Sequence, residues 1–324
     1  MKVDTTRLYT LAWRHAGRLP GWLVRGAGNV AADLTWALRR GGVDRLEANL
    51  ARVRPDLDAR GLRRLSRAAM RSYLRYFGEA FTLSSLTPAQ IDARVRAIGV
   101  EHLSRPTSQG HGVVLALGHL GNWDLAGAWA RRHVAPVTTV AERLEPPEVF
   151  EEFVRFRESL GLKILALGDP DVFRTLVREV REGPVIVPLL ADRDLTSKGL
   201  EVDLFGRRAR VAAGPAALAL TAGAPLVTTV ITYERLHGTR RRAAGSPWGI
   251  RLDFIPVPPL PDDVPRAERV GALTQAWVDQ LATGITQRAQ DWHMLQRVFV
   301  EDLDPARYAQ TRARAGETDV RGAS

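Results

Sequence analysis

A buried strand that ends at a histidine constrains the fold of this chain more than any other feature. Residues 112–117 read GVVLAL, a short run of β-branched and aliphatic residues, and Gly118 and His119 follow at once. Such a run is typical of a strand covered on both faces. Downstream, apolar runs of strand length alternate with stretches of helical periodicity. This alternation favours an α/β fold with a central mostly parallel or mixed sheet flanked by helices.

Element positions follow from the same patterns. We predict further strands near residues 136–140, 163–167, 184–190, 200–205, 225–233 and 249–255. We predict helices near residues 43–53, 58–84, 123–132, 146–161, 170–182, 214–222 and 265–290. In the helix at 58–84, one buried stripe is expected from Leu62, Leu65, Ala69, Leu74, Phe77 and Phe81. The stretch RVRAIGVEHL after Pro88 is predicted to form a short strand and a turn.

Positive charge is concentrated in the first quarter of the chain. The formal net charge is +10, and residues 1–78 hold 16 Lys and Arg against 6 Asp and Glu. An excess of this kind indicates a polyanionic partner, either nucleic acid or an anionic membrane surface. The alternative is a set of solvated helix faces.

The basic N-terminal segment, residues 5–40, has the pattern of an amphipathic pair of helices divided at Pro20-Gly21. Four arginines fall on nearly one face of an ideal helix, beside leucines and tryptophans: Arg7, Arg14, Arg18 and Arg25. Such N-terminal basic helices either lie in a membrane interface or pack on the core as an ordinary helical pair.

Composition excludes several classes of protein. The chain has no cysteine, which excludes disulfides, a thiolate nucleophile and a Cys-containing zinc site. No run approaches the roughly 18–20 apolar residues of a transmembrane helix, and we expect no secretory signal. We divide the chain into a membrane-associating basic helical region (1–84), an α/β core (85–304) and a disordered tail (305–324).

The segment GHLGNWD, residues 118–124, carries the strongest indication of chemistry. The carboxyl ends of strands are where open α/β sheets place reacting groups. A turn at Leu120-Gly121 would let Asp124 hold the His119 imidazole in one tautomer, leaving the other nitrogen to take a proton from a hydroxyl. In a continuous helix the two side chains could not meet. Alternatively the pair is structural, or Asn122 or Asp124 only caps the following helix.

Competing catalytic patterns are weak. The chain contains no G-x-S-x-G, Walker, G-x-G-x-x-G or H-E-x-x-H motif. A metal site built from His119, Asp124, Asp192 and Asp194 would lack diagnostic ligand spacing. We therefore expect neither a metal nor a redox cofactor.

The stretch GVVLALGHLGNWDLAGAW resembles the H-x-x-x-x-D block of the lysophospholipid acyltransferase superfamily, in particular its bacterial lipid A biosynthesis branch. Further blocks resemble that branch in the expected order, namely EHL (101–103), FRESLG (156–161), ADRDL (191–195) and VDLFGRRARVAAGPAALAL (202–220). Within it, AERLEP (141–146), ADRDL and DWHMLQ (291–296) resemble the actinobacterial phosphatidylinositol mannoside acyltransferases. The resemblance covers most of residues 40–300.

The resemblance implies an acyl-CoA-dependent acyltransferase of glycolipid biosynthesis. It implies transfer of a long chain, typically palmitoyl from its CoA thioester, to a mannose hydroxyl of a phosphatidylinositol mannoside. The enzyme would be peripheral, at the cytoplasmic face of the plasma (inner) membrane. A thioester already has a good leaving group, so such an enzyme needs mainly a base, an oxyanion stabiliser and positioning. Its partners would be acyl-CoA, an anionic glycolipid and the membrane surface.

The resemblance also implies roles for single residues. His119 is the general base, and Asp124 is the acid of the motif. Asp192 stands where the mannoside enzymes carry a Glu paired with the catalytic His. Asp is one methylene shorter, so either the backbone comes closer or a water intervenes. The carboxylate that orients His119 stays open between Asp192 and Asp124.

Further residues are implied to bind substrate. Arg157 matches a family Arg that binds a substrate phosphate or stabilises developing negative charge, and the other candidates are Asn122, Arg193, Asp194 and His293. Arg193 and Asp194 could instead form a structural ion pair, and Trp292 and His293 could seal the fold.

Two further features of the site are left open by the residues. Oxyanion donors are either the backbone N–H groups of Gly121-Asn122 or the Arg157 guanidinium. Phe205 and residues 215–222 either wall an acyl groove or pack in the core.

Three other functions compete with this one. The acceptor could be another lipid or glycolipid, like lipid A, or water could replace it, which would make the protein an acyl-CoA thioesterase. A basic nucleic-acid-binding protein is the non-enzymatic alternative. The chain shows no helix-turn-helix, KH or RRM signature, so we expect no nucleic acid partner.

Overall fold

Helices dominate the first part of the chain and alternate with strands from residue 95 onward. The computed structural model describes Gly17 and residues 19–143, 146–306 and 308–309. The strands are β1 (Val95–Ile98), β2 (Val113–Leu117), β3 (Thr138–Ala141), β4 (Lys163–Ala166), β5 (Ile186–Leu190), β6 (Leu200–Leu204), β7 (Arg207–Val211), β8 (Leu226–Arg235) and β9 (Trp248–Pro256). The helices are α1 (Gly21–Ala37), α2 (Val43–Val53), α3 (Ala59–Leu83), α4 (Pro88–Arg94), α5 (Glu101–Ser108), α6 (Trp123–His133), α7 (Pro147–Ser159), α8 (Val172–Glu182), α9 (Gly214–Ala222), α10 (Gly238–Ala244) and α11 (Arg269–Gln287). Two 3₁₀ turns span Ala289–Asp291 and Val300–Asp302.

The central sheet is mixed but mostly parallel, as the sequence predicts. Its strand order is β1-β9-β8-β2-β5. β2 lies parallel to both of its neighbours, β5 and β8, and only the β8–β9 pair is antiparallel. Small two-stranded sheets are formed by β3 with β4 and by β6 with β7.

Alternate residues of β2 belong to two different hydrophobic clusters. Val114 and Ala116 pack with α2, α9 and α11, whereas Val113, Leu115 and Leu117 pack with α6 and the end of α3. Successive side chains of a strand point to opposite faces, so the two clusters lie on the two sides of the sheet. This confirms the predicted α/β layering, with β2 covered on both faces.

Four short elements differ from the prediction. The predicted turn after β1 is instead helix α5, and α4, α10 and β7 were not predicted. β7 reads RRARV and α10 reads GTRRRAA, so neither has the apolar periodicity by which such elements are recognised. The last long helix is shorter than the predicted 265–290 and ends at Gln287.

The predicted buried stripe of α3 is wrong in register. Of the six expected residues only Ala69 is buried, whereas Leu62, Leu65, Leu74, Phe77 and Phe81 are half-buried. The buried polar side chains of its second half are Ser72, Tyr76 and Glu79. Their partners lie at the carboxyl edge of the sheet, so this face is turned towards the candidate site.

Of the four N-terminal arginines, only Arg25 lies within the described residues. Helix α1 begins directly after Pro20, as the predicted break requires, and Arg25 faces a cavity beside α3. Arg7, Arg14 and Arg18 lie outside the described residues. Among the described residues, no helix combines the length and the hydropathy needed to cross a bilayer. The division at residues 84 and 304 and the disorder of the tail stay predictions.

Helix α11 packs closely on β8 at a glycine, which generates a prediction. A Cβ at Gly284 would lie 2.5 Å from Val230 Cγ1, whereas nothing lies within 4 Å of a Cβ at Gly271 in the same helix. We expect Gly284→Ala to lower the free energy of unfolding by about 1–3 kcal/mol through overpacking. Gly271→Ala should raise it by about 0.5–1 kcal/mol through helix propensity. Urea unfolding of both variants checks this, and equal stability changes would contradict it.

Candidate active site

His119 lies just beyond the carboxyl end of β2, and its turn is held from two sides. The backbone N–H of His119 donates to Asp192 Oδ2 at 2.9 Å, and the His119 carbonyl accepts from His293 N at 2.7 Å. Gly121 N–H donates to the Asp291 carbonyl at 3.0 Å. The segment 118–121 is therefore fixed by the end of β5 and by the C-terminal segment around residue 292.

Gly121 is required by the shape of this turn. Its φ is +57°, a left-handed conformation that side chains other than glycine rarely adopt. A Cβ there would also lie 2.7 Å from the Ile231 carbonyl oxygen of β8. The turn ends at Asn122, whose Oδ1 accepts from Leu125 N at 2.9 Å and so caps α6. The segment is thus not a continuous helix, as the sequence allowed.

Asp192, rather than Asp124, is the carboxylate that contacts the imidazole. His119 Nδ1 lies 2.6 Å from Asp192 Oδ1, and Trp292 Nε1 donates to Asp192 Oδ2 at 2.8 Å. The Asp192 side chain is 2% exposed and that of His119 is 36% exposed. The shorter Asp side chain therefore reaches His119 directly, and the backbone approach is visible in the hydrogen bond from His119 N.

Burial and pairing act in opposite directions on this dyad. Burial alone would lower the pKa of His119, but the charge of Asp192 and its hydrogen bond outweigh burial and raise that pKa. Burial alone would raise the pKa of Asp192, but the interactions with His119 outweigh burial and lower it. Both shifts favour an ionised Asp192 that accepts from Nδ1, which leaves Nε2 of His119 to accept a proton.

Asp124 takes part in a different, buried network. Its Oδ1 lies 2.7 Å from Arg157 Nε, and its Oδ2 accepts from the Tyr76 hydroxyl at 2.8 Å. Burial and the neighbouring Asp124 carboxylate raise the pKa of Tyr76 well above its ordinary value, so the hydroxyl stays protonated and donates. Asp124 and Arg157 are 1% and 8% exposed in their side chains. The structure thus places Asp124 with Arg157 and Tyr76 rather than with His119.

His293 lies against the site as a neutral imidazole. Burial, followed by repulsion from Arg75, lowers the pKa of His293 to about 3. Ser72 donates its hydroxyl hydrogen to Asp291 at 2.8 Å, so His293 Nε2, 3.0 Å from Ser72 Oγ, must be the donor to that oxygen. His293 Nδ1 is then a bare acceptor. Within the described residues it has no hydrogen-bond partner.

The ring of Trp123 lies close to the rings of both histidines. Its ring lies 5.7 Å from that of His119 and 6.3 Å from that of His293. Its buried Nε1 has no acceptor among the described residues. An apolar pocket begins at this ring and runs between α6 and the sheet, lined by Leu117, Ala126, Leu190 and Phe254, among others.

The remaining candidates have other environments. The Asn122 side chain donates to Glu79 at 2.8 Å besides capping α6. Asp194 accepts from Thr196 N at 2.8 Å, and within the described residues it forms no ion pair with Arg193, whose charge acts on His119. The Gly121 N–H already donates to Asp291, which removes it as an oxyanion donor. The substrate-binding roles of Asn122, Arg157, Arg193, Asp194 and His293 stay predictions.

The suggested acyl groove at Phe205 is occupied by core packing. Phe205 stacks edge-on against Trp292 at 6.0 Å, and Ala216, Leu218 and Ala219 of α9 are buried in the cluster with α11.

Sequence reasoning also missed Ser72, Tyr76 and Glu79. Their polar character at i, i+4 and i+7 of α3 was the available signal, because it marks one face.

The chain is similar to several known proteins. Phosphatidylinositol mannoside acyltransferase of Mycolicibacterium smegmatis is 37% identical over 306 residues, which are 93% of each chain. The protein of the same name from Mycobacterium tuberculosis is 37% identical over 317 residues, 97% of this chain and 94% of that one. The crystal structure of the 1-acyl-sn-glycerophosphate acyltransferase of Thermotoga maritima aligns with a TM-score of 0.33 at 14% identity, over 79% of this chain and 96% of that one.

The chain has an α/β fold with a histidine at the carboxyl edge of its sheet, and its relatives are named for acyl transfer. Together these features define an acyltransferase. The bacterial lipid A biosynthesis acyltransferase family matches residues 2–301. The chain belongs to this family, as the blocks of its sequence indicated.

The dyad generates a prediction about the titration of His119. We expect its pKa to lie above the ordinary 6.5 in the wild type, because Asp192 favours the protonated ring. In Asp192→Asn the pKa should fall below 6.5, because burial then acts without the carboxylate. NMR titration of the ring signals checks this, with His119→Ala to assign the signal. Asp194→Asn, which removes a nearby carboxylate without contact to His119, should leave the pKa unchanged. An unchanged pKa in Asp192→Asn would contradict the pairing.

Proposed function

We propose that this protein transfers a long acyl chain, palmitoyl or similar, from acyl-CoA to a mannose hydroxyl of a phosphatidylinositol mannoside. The observation that carries the proposal is the His119–Asp192 dyad, with its 2.6 Å contact at the edge of the sheet. The names of the two mycobacterial relatives supply the substrate class.

His119 acts as the general base in this proposal. Asp192 holds Nδ1, so Nε2 takes the proton from the acceptor hydroxyl as its oxygen attacks the thioester carbonyl. Collapse of the tetrahedral intermediate expels CoA as a thiolate, which takes up the proton from His119. No step requires a metal or a redox cofactor, because the thioester carries its own leaving group.

Two unpartnered polar atoms beside the dyad suit a sugar acceptor. His293 Nδ1 is a buried acceptor and Trp123 Nε1 is a buried donor, and neither has a partner within the described part of the chain. A buried polar group without a partner is destabilising, and sugar hydroxyls can both donate and accept. A hydroxylated acceptor would therefore satisfy both atoms.

The apolar pocket suits the acyl chain. It starts at Trp123, whose ring contacts His119, and it is lined mainly by aliphatic side chains between α6 and β2. An acyl chain in this pocket would place its thioester beside the imidazole. The free space of this pocket is about 60 Å³, so it would hold only the first part of a long chain and the rest would extend beyond it.

Product analysis tests the reaction. We expect purified protein, palmitoyl-CoA and monomannosylated phosphatidylinositol to yield acylated glycolipid by mass spectrometry. The rate should fall about 10²–10⁴-fold in His119→Ala, because the base is lost. A similar loss is expected in Asp192→Asn. The Asp192 carboxylate accepts hydrogen bonds from three donors, and the NH₂ group of asparagine would face a donor where the carboxylate offers an acceptor. Asp262→Asn, at an exposed aspartate outside the site, is the matched control.

Other products would overturn parts of this proposal. Free fatty acid without acylated glycolipid would identify a thioesterase. Acylation of lipid A precursors but not of the mannoside would leave the acyltransferase in place and change the acceptor. Full activity in His119→Ala would exclude this histidine as the base.

Membrane docking through α1 is part of the proposal. Several large apolar side chains of α1 and its flanks are exposed, with Trp22 at 68%, Val30 at 60%, Leu34 at 58% and Leu38 at 62%. An apolar helix face beside basic residues is typical of a helix that lies in a membrane interface. We propose that this face holds the enzyme at the cytoplasmic surface of the plasma membrane.

Vesicle binding tests the docking face. We expect Val30→Glu/Leu34→Glu to lower partition onto phosphatidylinositol-containing vesicles by about tenfold or more, because two exposed apolar anchors become anions. The matched control is Leu167→Glu/Phe173→Glu, at two exposed apolar positions elsewhere. Cosedimentation measures both. Equal partition of the two variants would contradict docking through α1.

A further inference from the structure

A polar cavity of about 340 Å³ lies between α1, α3 and the turn that joins α10 to β9. Four arginines line it, and we call it the arginine cavity: Arg25, Arg75, Arg94 and Arg235. Among the described residues of its lining, Glu79 is the only acidic side chain. The volume lies in the range of small-molecule sites. The cavity thus combines ligand-sized space with a surplus of positive charge.

Two of the four guanidinium groups of this cavity, those of Arg75 and Arg235, stack on aromatic rings. Arg75 lies 3.7 Å from the centroid of the Trp248 ring and 4.7 Å from that of Tyr233, and Arg235 lies 4.6 Å from that of Trp248. Stacking covers the faces of a guanidinium and leaves its N–H edges to donate. Edge-on pairs of N–H donors match the oxygens of a phosphate.

Some arginines outside the cavity form ion pairs with carboxylates. Arg67 and Arg71 both bind Asp33, and Arg251 binds Asp253. By contrast, none of Arg25, Arg75 and Arg235 forms an ion pair with a carboxylate of the described residues. The donors of the arginine cavity are therefore available to an external anion.

Burial increases the need for an anion in the cavity. Arg94 is 7% exposed and donates from Nε to the Ala244 carbonyl. Burial lowers the pKa of Arg25, Glu79 opposes this shift, and Arg241 adds to it. Glu79 compensates only in part, because its carboxylate also accepts from Asn122 at 2.8 Å and from Tyr233 at 3.1 Å. Arg25 and Arg75 are half-buried and Arg235 is exposed, so a bound anion would compensate mainly the buried charge of Arg94 and the half-buried charges beside it.

The cavity stands at the same edge of the sheet as the dyad. β8 runs parallel to β2, so Arg235 at the end of β8 and His119 after β2 lie beyond the same edge. Glu79 connects the two places, since it lines the cavity and accepts from Asn122 of the catalytic turn. The cavity and the turn after β2 therefore adjoin at Glu79.

We propose that the arginine cavity binds a phosphate ester of a substrate whose reacting group lies at His119. This inference rests on the proposed function, under which both substrates carry such a group. The acceptor has the phosphodiester of its phosphatidylinositol, and the donor has the phosphates of CoA. The guanidinium geometry suits either source, and the experiment separates them.

Binding of two soluble probes tests the inference by isothermal titration calorimetry. Glycerophosphoinositol represents the phosphodiester of the acceptor, and free CoA represents the donor. We expect one probe to bind Arg25→Gln and Arg75→Gln at least about tenfold more weakly than wild type, because each loses a charge-assisted hydrogen bond. The probe that is affected identifies the source of the phosphate.

The control is Arg64→Gln, at an exposed arginine of α3 outside the cavity. It removes the same charge and should retain wild-type affinity. Thermal unfolding identifies a variant that has lost its fold. Arg25→Gln removes no aromatic stack, so it still tests the cavity if Arg75→Gln, which loses the stack on Trp248, is unstable.

The inference is overturned if neither probe binds the wild type, or if both probes bind the cavity variants and the wild type equally. It is equally overturned if Arg64→Gln weakens binding as much as the cavity variants do. Because binding is measured without turnover, absence of acyl transfer would refute the proposed function and leave this result standing.

Discussion

The Asp192 carboxylate is the interaction on which the rest of the site depends. It accepts from the backbone and the ring of His119 and from the indole of Trp292, so it joins the end of β5, the turn after β2 and the C-terminal segment. A carboxylate that is 1% exposed is tolerated because these donors compensate for its lost hydration. The same hydrogen bonds fix the imidazole in one orientation. Stability of the turn and readiness of His119 to accept a proton thus have one physical cause.

The central strands of the sheet, β2 and β8, could be predicted from the sequence because they are buried along nearly their whole length. Runs such as GVVLAL in β2 have the composition that a covered parallel strand requires. β7 could not be found in this way, since RRARV owes its position to antiparallel pairing with β6 and to ion pairs such as Arg208 with Glu201. The buried face of α3 was predicted wrongly for a related reason. Periodicity assigns polar residues to solvent, but Ser72, Tyr76 and Glu79 are buried because partners from distant segments satisfy them.

The candidate site was predicted in its members but not in its pairings. The sequence placed His119, Asp124, Asp192 and Arg157 together through their motifs. It could not decide which carboxylate contacts the imidazole, because that depends on a left-handed glycine at 121 and on how closely Ile231 approaches it. The excess of positive charge in the first quarter of the chain could likewise be read from the sequence. Which of its arginines bind carboxylates and which face a cavity could not. Arg67 and Arg71 are neutralised by Asp33, whereas Arg25 and Arg75 face a cavity.

The C-terminal segment has a consequence for the order in which the enzyme is made. Leu120 of the turn pairs with Trp292, and Asn49 of α2 donates to the carbonyls of Met294 and Gln296. These contacts cannot form in a nascent chain until residues 291–296 have been synthesised. Before then His119 lacks its fixed turn and the Trp292 indole that helps to hold Asp192. The candidate site is therefore completed only when this segment has docked.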